Sequence, residues 1–276
     1  MSVAHLNGVP HGLQALDNET LRFLGRLHDV SEGLKALEVA QARFARVSFD
    51  LIYARPGQSL EQWDAELARA LGFGTGHLSL YQLTIEPGTK FETMVRKGDF
   101  TPLDEDACAD MFALTRERTA AAGLPAYEIS NHARPGEESR HNLTYWRYED
   151  YCGIGPGAHG RRANAATVRH RKPENWLNAF ASSDHGIVEE RALAVPEQAS
   201  EAMLMGLRLR EGIDLAHLAQ RFGLPASALC HADKATFYER QGLVWQDGSR
   251  MGVTEAGMPL LDGLLAEIVP EDLVAV

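Results

Sequence analysis

Hydrophobic and polar positions in the first part of the chain follow two periods, and each period predicts one kind of element. RVSFDLIY, residues 46–53, has a period of two, with four apolar residues on one face and Asp50 on the other. This pattern predicts a half-buried strand that carries an acid. HLSLYQLTI, AYEIS and the stub GLQAL predict further strands of the same region.

Four helices are predicted between these strands. SLEQWDAELARAL begins with Ser59 and Gln62 at the spacing of a capping box, and its apolar residues form one stripe. LDNETLRFLGRLH and SEGLKALEVAQARF predict two earlier helices, with Asp17 and Ser31 as N-caps. Another helix is predicted over about residues 104–122, where a glycine follows. Strands and helices in alternation indicate parallel strands with helical crossovers.

The order of elements predicts an α/β fold with two domains. A closed (β/α) barrel needs eight strand–helix units in about 250 residues, and residues 1–165 offer roughly half of them. We therefore expect a partial barrel over 1–165 that lacks N-terminal strands, followed by a connecting segment over 166–195. Residues 196–276 predict three helices, a hairpin turning at Asp247-Gly248 and a last helix, the order of a mostly helical, winged-helix-like module. The three helices are expected over EQASEAMLMGLRL, LAHLAQRFG and ASALCHADKATFYERQG.

Charge separates two interpretations of that last module. Winged-helix modules commonly bind DNA through a basic helix, but residues 201–276 hold eleven acids against six Lys and Arg. The whole chain has a formal net charge of −11, which repels nucleic-acid phosphates. We therefore expect no nucleic-acid partner, and a packing domain that closes one end of the larger unit.

Composition and cysteine spacing exclude further classes of protein. No apolar run approaches the roughly 18 residues that cross a bilayer, and the first ten residues lack the features of a signal peptide. A cytoplasmic protein without an integral membrane segment is expected. Cys108, Cys152 and Cys230 lie far apart without a C-x-x-C pair, which indicates neither a disulfide framework nor a zinc site.

The stretch GPGAHG, residues 155–160, has the glycine spacing of a dinucleotide-binding loop. Such a loop must open a helix, and the residues that follow have no amphipathic stripe, so the spacing lacks its context. The glycines instead predict a tight turn in which the backbone approaches another group closely. Arg161 and Arg162, which follow, either meet carboxylates or lie in a solvated basic loop.

Several longer stretches, in order along nearly the whole chain, carry a family resemblance. They are SFDLIYARPGQS, LSLYQLTIEPGT, YEISNHARPG, SRHNLTYWRYEDYCGIGPGAHG and MGLRLREGID. Together they resemble the radical SAM family of oxygen-independent coproporphyrinogen III oxidases of porphyrin biosynthesis, and more closely its haem-chaperone branch, HemW. The resemblance implies a radical SAM barrel and a HemN-type C-terminal domain.

One family motif has no counterpart. Full-length members bind a [4Fe-4S] cluster through three thiolates of a C-x-x-x-C-x-x-C loop, with S-adenosylmethionine on the open iron, and none of the three cysteines here has that spacing. We therefore expect no cluster in this chain and no catalysis by it alone. The chain is interpreted as a truncated gene product, an alternative start or a domain without its partner half.

Three residues match positions that hold S-adenosylmethionine in the family. They are Gln14, Arg26 and Asp50, in GLQ, GRLH and DLIY. A carboxylate accepts bonds from ribose hydroxyls or the amino group, and a guanidinium binds the methionine carboxylate. The alternatives, judged from the residues alone, are an edge polar group for Gln14, a surface cation for Arg26 and a hydrogen-bonded core acid for Asp50.

HNLTYW, residues 141–146, resembles the stretch to which haem handling is attributed in the chaperone branch. The resemblance implies His141 as a haem-iron ligand, with Asn142, Tyr145 and Trp146 completing the haem motif. The two aromatic rings offer flat apolar surface to a porphyrin, and Arg140 or Arg147 could bind a propionate. From the residues alone, the alternative for the histidine is a hydrogen-bonded loop residue.

Three functions remain open on this basis. The first is a haem-binding, chaperone-like protein with a haem-acceptor partner. The second is a fragment of a porphyrinogen oxidase, active only with an upstream half, and the third is a remnant that binds no ligand. The open edges of a partial barrel also predict self-association.

Overall fold

The computed structural model describes residues 8–274, and the chain divides into two compact units, Met1–Ser139 and Arg140–Val276. This division falls earlier than the boundary expected at residue 165. Residues 166–195, expected as a connecting segment, fold as part of the second unit, where they contribute to two strands and form a helix.

The described part of the first unit is a four-stranded sheet with five helices. Its strands are β1 (Gly8–Gln14), β2 (Arg46–Tyr53), β3 (His77–Gln82) and β4 (Asn131–Ala133). Its helices are α1 (Asn18–Phe23), α2 (Val30–Arg43), α3 (Leu60–Leu71), α4 (Lys90–Lys97) and α5 (Glu105–Ala121). The order across the sheet is β1-β2-β3-β4, with β1, β2 and β3 parallel and β4 antiparallel to β3.

Strand β2 has the two faces that its sequence predicts. The four apolar residues of one face are buried and alternate with four half-buried positions, three of which are polar. On the apolar face the ring of Tyr53 stacks on Trp63 of α3, with ring centroids 4.6 Å apart, and the indole Nε1 of Trp63 donates to Thr115 of α5 at 2.8 Å. Burial of such side chains stabilises the fold by about 1.5–3 kcal/mol each. The core of this unit therefore lies on one face of the sheet, and the other face remains available for polar chemistry.

The last strand differs from the prediction in position and direction. AYEIS, residues 126–130, was expected as a strand, and this is wrong because the strand comprises Asn131–Ala133. The Glu128 carboxylate accepts bonds from the Ser130 N–H at 2.9 Å and from Nδ2 of Asn131 at 2.5 Å. These local bonds bend the segment before the strand begins.

Helix starts follow the predicted capping chemistry with one correction. Asp17 accepts from the Thr20 N–H at 2.7 Å, and Ser59 forms its capping box with Gln62, as predicted. The predicted N-cap Ser31 is wrong: the cap of α2 is Asp29, because its carboxylate and Glu32 form a reciprocal capping box.

The described part of the second unit contains two antiparallel sheets and seven helices. Its strands are β5 (His159–Arg162), β6 (Ala165–Arg169), β7 (Ile187–Ala192), β8 (Ile213–Asp214), β9 (Val244–Asp247) and β10 (Arg250–Val253). Its helices are α6 (Arg140–Trp146), α7 (Pro173–Ser183), α8 (Val195–Gly206), α9 (Leu215–Phe222), α10 (Ala232–Arg240), α11 (Leu261–Ile268) and α12 (Glu271–Val274). The sheet orders are β5-β6-β7 and β8-β10-β9.

Three stretches of the second unit bear on the sequence predictions. The hairpin at Asp247-Gly248 is confirmed, with Gly248 at a φ of 61°. The single helix expected over ASALCHADKATFYERQG is wrong, since buried Leu229 and Cys230 separate a short 3-10 turn from α10. HNLTYW lies in helix α6, so the loop alternative for this stretch is wrong.

The glycines of GPGAHG lead into strand β5 rather than into a helix, so the requirement of a dinucleotide loop is not met. A Cβ added to Gly160 would lie 2.9 Å from the backbone nitrogen of Gly153, and one added to Gly153 would lie 2.2 Å from the carbonyl oxygen of His159. The predicted close approach of the backbone is therefore confirmed here.

Candidate functional site

The polar face of the first unit's sheet carries a row of three residues in register. Asp50 of β2 pairs with Ser79 of β3, and Ser79 pairs with Asn131 of β4. Directly paired residues project to the same face, so the three side chains share the face opposite the apolar core. Ser79 and Asn131 are buried and Asp50 is half-buried.

The carboxyl of Asp50 has a pKa above its ordinary value. Burial raises its pKa, while a hydrogen bond from Ser79 and the charges of His11 and Arg26 act in the opposite direction. The group is therefore a hydrogen-bonded acid in a partly desolvated position, and it lies within the electrostatic reach of a cation. Such a carboxylate is suited to accept bonds from the hydroxyl or ammonium groups of a ligand.

Gln14 and Arg26 meet at the end of β1. Nη2 of Arg26 donates to Oε1 of Gln14 at 2.8 Å, and Gln14 pairs in the sheet with Leu51, the neighbour of Asp50. Gln14 is buried and has a φ of 70°, a left-handed conformation that costs a non-glycine residue about 1–3 kcal/mol. Arg26 itself is exposed. The structure thus joins Gln14 to Arg26 by a hydrogen bond, and the charge of Arg26 reaches Asp50.

Two residues of this face were absent from the sequence predictions. Glu128 is only 1% exposed and holds Nδ2 of Asn131, while Oδ1 of Asn131 is buried without a partner among the described residues. Both lie in YEISNHARPG, a stretch quoted for its family resemblance, but the residue types alone gave no reason to choose them.

A cavity of about 630 Å³ opens beside the loops that follow β1 and β2. Its wall includes Arg55, whose guanidinium forms an ion pair with Glu66 at 2.5 Å. Glu66 also accepts from the Leu16 N–H at 2.8 Å. Ligands of parallel α/β folds bind at the carboxyl ends of the strands, and this buried ion pair fixes the loops at that edge.

In the second unit, the predicted haem motif forms an aromatic ladder on α6. His141 and Tyr145 are one helical turn apart, and their rings meet edge to face with centroids 4.6 Å apart. Tyr145 meets Tyr151 in the same manner at 4.4 Å. Burial is the main cause that raises the pKa of Tyr145, and Tyr151 adds to it. His141 is exposed, so its imidazole lies at the solvent end of the ladder.

Trp146, at the end of α6, contacts a cation from another stretch of the family resemblance. The guanidinium carbon of Arg208 lies 4.9 Å from the centroid of the Trp146 ring. Nε1 of Trp146 and Nε of Arg208 are both buried without an acceptor among the described residues. Arg208 lies in MGLRLREGID, a stretch of the family resemblance, but its residue type alone gave no reason to assign it a role.

The arginines proposed for carboxylates have different surroundings. Arg140 is exposed, whereas Arg147 forms a two-pronged ion pair with Glu211 at 2.8 and 3.0 Å. Arg161 is buried, with its guanidinium 3.5 Å from the ring centroid of Tyr148 and 3.7 Å from Glu201. Of the two alternatives for Arg161 and Arg162, the meeting with a carboxylate holds for Arg161, while Arg162 is exposed.

The cysteines of the described chain do not fit an iron–sulfur cluster. Cys108 is half-buried, Cys152 exposed and Cys230 buried, and all three are free thiols. Between residues 8 and 274, no three His, Cys, Asp or Glu side chains are placed to hold a metal ion.

The helices of the described part, residues 8–274, include none that is long and apolar enough to span a bilayer. Residues 193–260 match the family described as the HemN C-terminal domain. The fold is similar to that of a solved structure titled "Coproporphyrinogen III oxidase (HemN) from Escherichia coli is a Radical SAM enzyme". That similarity has a TM-score of 0.72 at 18% identity and covers 94% of this chain and 63% of that one.

Several relatives are more similar to this chain in sequence than that solved structure is. The mitochondrial radical S-adenosyl methionine domain-containing protein 1 of Mus musculus is 36% identical over 97% of this chain, which spans 63% of its length. Heme chaperone HemW of Bacillus subtilis is 30% identical over 92% of the chain and 67% of its own length. Heme chaperone HemW of Lactococcus lactis is 30% identical over 97% of the chain and 70% of its own length. By these identities the chain belongs to the HemW family of radical SAM proteins, and its fold is similar to that of HemN.

Proposed function

We propose that this protein binds haem on helix α6 and transfers it to an acceptor protein. The observation that carries the proposal is the ladder of His141, Tyr145 and Tyr151, in which an exposed imidazole is supported by two packed phenol rings. The names of the bacterial relatives as haem chaperones support the same function.

Each residue of the motif has a physical role in this proposal. A neutral imidazole nitrogen of His141 binds the haem iron, and the rings of Tyr145 and Trp146 provide flat apolar surface for the porphyrin. Asn142 lies beside the histidine on α6 and completes the motif. Arg140 is exposed at the start of the helix and is the cation suited to a propionate, since Arg147 is already paired with Glu211.

A haem titration followed at the Soret band tests the proposal. We expect saturable binding by the wild type and a shifted Soret position with at least tenfold weaker binding in His141→Ala. His217→Ala is the matched control, because His217 is an exposed histidine of the same unit. Non-saturable uptake by the wild type would favour the remnant without a ligand, and an unchanged spectrum in His141→Ala would exclude this ligand.

We also propose that the polar face of the first unit binds S-adenosylmethionine. Arg26 binds the methionine carboxylate, held in position by its bond to Gln14, and Asp50 accepts from the ammonium or the ribose hydroxyls.

The parallel strands β1, β2 and β3 support a partial radical SAM barrel, and the helices with the β8-β10-β9 sheet support a winged-helix-like C-terminal domain.

The alternative function, as part of a porphyrinogen oxidase, requires the cluster that generates a radical. The described residues do not fit that cluster, so no radical step is assigned to them. Anaerobic reconstitution with iron and sulfide tests this alternative. We expect no stable chromophore of a [4Fe-4S] cluster, and a stoichiometric cluster would favour the oxidase.

Cytoplasmic location and self-association through sheet edges stay predictions, and mitochondrial proteins are among the relatives.

A further inference from the structure

Trp146 and Arg208 bring together two stretches of the chain that are distant in sequence. Trp146 ends α6, and Arg208 follows the end of α8. Gly206, the last residue of α8, packs closely on the side chain of Ile213, since an added Cβ would lie 2.3 Å from it. The guanidinium carbon of Arg208 lies over the indole ring of Trp146 at 4.9 Å from its centroid.

The pair leaves two hydrogen-bond donors unused. Nε1 of Trp146 and Nε of Arg208 are buried and have no acceptor within residues 8–274. Buried donors without acceptors are rare and unfavourable, so two of them in contacting side chains require an explanation. Both side chains are half-buried rather than enclosed, so the pair lies near the surface of the second unit.

We infer that Trp146 and Arg208 form a subsite for a carboxylate. One carboxylate oxygen accepts from the indole N–H, and the guanidinium supplies the charge and a second donor. Within residues 8–274, Arg208 forms no ion pair, whereas Arg147 is paired with Glu211. A bound carboxylate would therefore accept hydrogen bonds from both donors and neutralise the charge of Arg208.

The inference deepens the proposed haem function and rests on it for the ligand's identity, since haem carries two propionates. The carboxylate subsite itself is independent of iron. A metal-free porphyrin therefore tests it without contribution from His141.

The experiment compares metal-free mesoporphyrin IX with its dimethyl ester in one detergent buffer, with binding followed by porphyrin fluorescence. We expect the wild type to bind the diacid about tenfold tighter than the ester, as one charge-assisted hydrogen-bond pair allows. Trp146→Phe keeps the ring and removes the N–H, and Arg208→Gln removes the charge. Both variants should bring the ratio close to one.

Arg210→Gln is the matched control, because Arg210 is an exposed cation two residues away. It should retain the wild-type ratio. A ratio near one in the wild type, or a tenfold ratio that persists in Trp146→Phe and Arg208→Gln, would overturn the subsite. Because the porphyrin carries no iron, this ratio tests the subsite alone, and the Soret titration of haem with His141→Ala tests the iron ligand, so either proposal can fail without the other. Thermal midpoints of the variants identify any that fail to fold, and Arg208→Met, which also removes the charge, then replaces Arg208→Gln.

Discussion

The carboxylate of Glu66 binds the guanidinium of Arg55, so that one nearly buried acid holds the loop after β2. The same carboxylate accepts from the backbone N–H of Leu16, in the loop after β1. The carboxyl ends of two parallel strands are thereby fixed to α3, which carries Glu66. This arrangement determines the shape of the cavity edge.

Replacement of Glu66 should destabilise the first unit. Glu66→Gln leaves a buried guanidinium without its counter-charge, and breaking such a pair costs about 3 kcal/mol. Urea unfolding measures the loss, with Glu38→Gln on the exposed face of α2 as the control. Equal free energies of unfolding for the two variants would contradict the structural role of this pair.

The ionised carboxyl of Asp50 should lower the free energy of unfolding at neutral pH, although it contributes to the binding of S-adenosylmethionine. Its pKa is raised by burial, so the folded state holds the proton more tightly than the unfolded state, and stability declines as the pH rises above the ordinary value of 3.8. Asp50→Asn should therefore raise the urea midpoint at pH 7 and weaken S-adenosylmethionine by about tenfold or more.

Asp110→Asn, at an exposed position of α5, is the control for both measurements. Calorimetric titration gives the affinity. If Asp50→Asn lowers stability at pH 7, the desolvation of this carboxyl is not a significant cost. If it leaves the affinity unchanged, Asp50 is a hydrogen-bonded core acid without a role in binding.

His77 should make the fold sensitive to acid. Burial and the charge of Arg46 lower its pKa from 6.5 to about 4, and the ring is held between Ser48 and Tyr127 at 2.8 and 2.9 Å. Its contribution is fully present above pH 6.5 and is lost as the pH falls toward 4, because the unfolded state takes up the proton first.

The test is the slope of unfolding free energy against pH between 6 and 4.5. His77→Gln should lower that slope by about 1.4 kcal/mol per pH unit, the value for one proton. His132 stays in place and retains its own contribution, since burial lowers its pKa to about 3. Identical slopes for wild type and variant would show that His77 does not titrate differently on folding.

Two glycines of the second unit should respond in opposite ways to alanine. At Gly153 a Cβ would lie 2.2 Å from the His159 carbonyl oxygen, so Gly153→Ala should destabilise by about 2 kcal/mol or more. At Gly263, inside α11, nothing lies within 4 Å, so Gly263→Ala should stabilise by about 0.5–1 kcal/mol. Thermal midpoints that move in the same direction would contradict this packing.

The sequence was most informative where a short-range pattern determines structure. The period of two in β2 predicted which face is buried, and Ser59 with Gln62 predicted the start of α3. The N-cap of α2 was less certain because Asp29 and Ser31 both suit the position, and only the reciprocal bond with Glu32 distinguishes them.

Relationships over long range were not predictable in the same way. The direction of β4 depends on a turn closed by the side chain of Glu128, and glutamate has no strong turn signature. The contact of Trp146 with Arg208 depends on how α6 and α8 pack, which a single sequence does not encode locally. The site residues Gln14, Arg26 and Asp50 came from the family resemblance, and the hydrogen bond between Arg26 and Gln14 could not be read from the sequence.

The central claim is that haem iron binds to the imidazole at the solvent end of the α6 ladder. The most direct measurement is the resonance Raman spectrum of the ferrous haem complex, which reports the bond between iron and a histidine nitrogen. We predict an iron–histidine stretching band in the wild type and in His217→Ala that disappears in His141→Ala. A band that persists in His141→Ala, or that is absent from the wild type, would contradict the account.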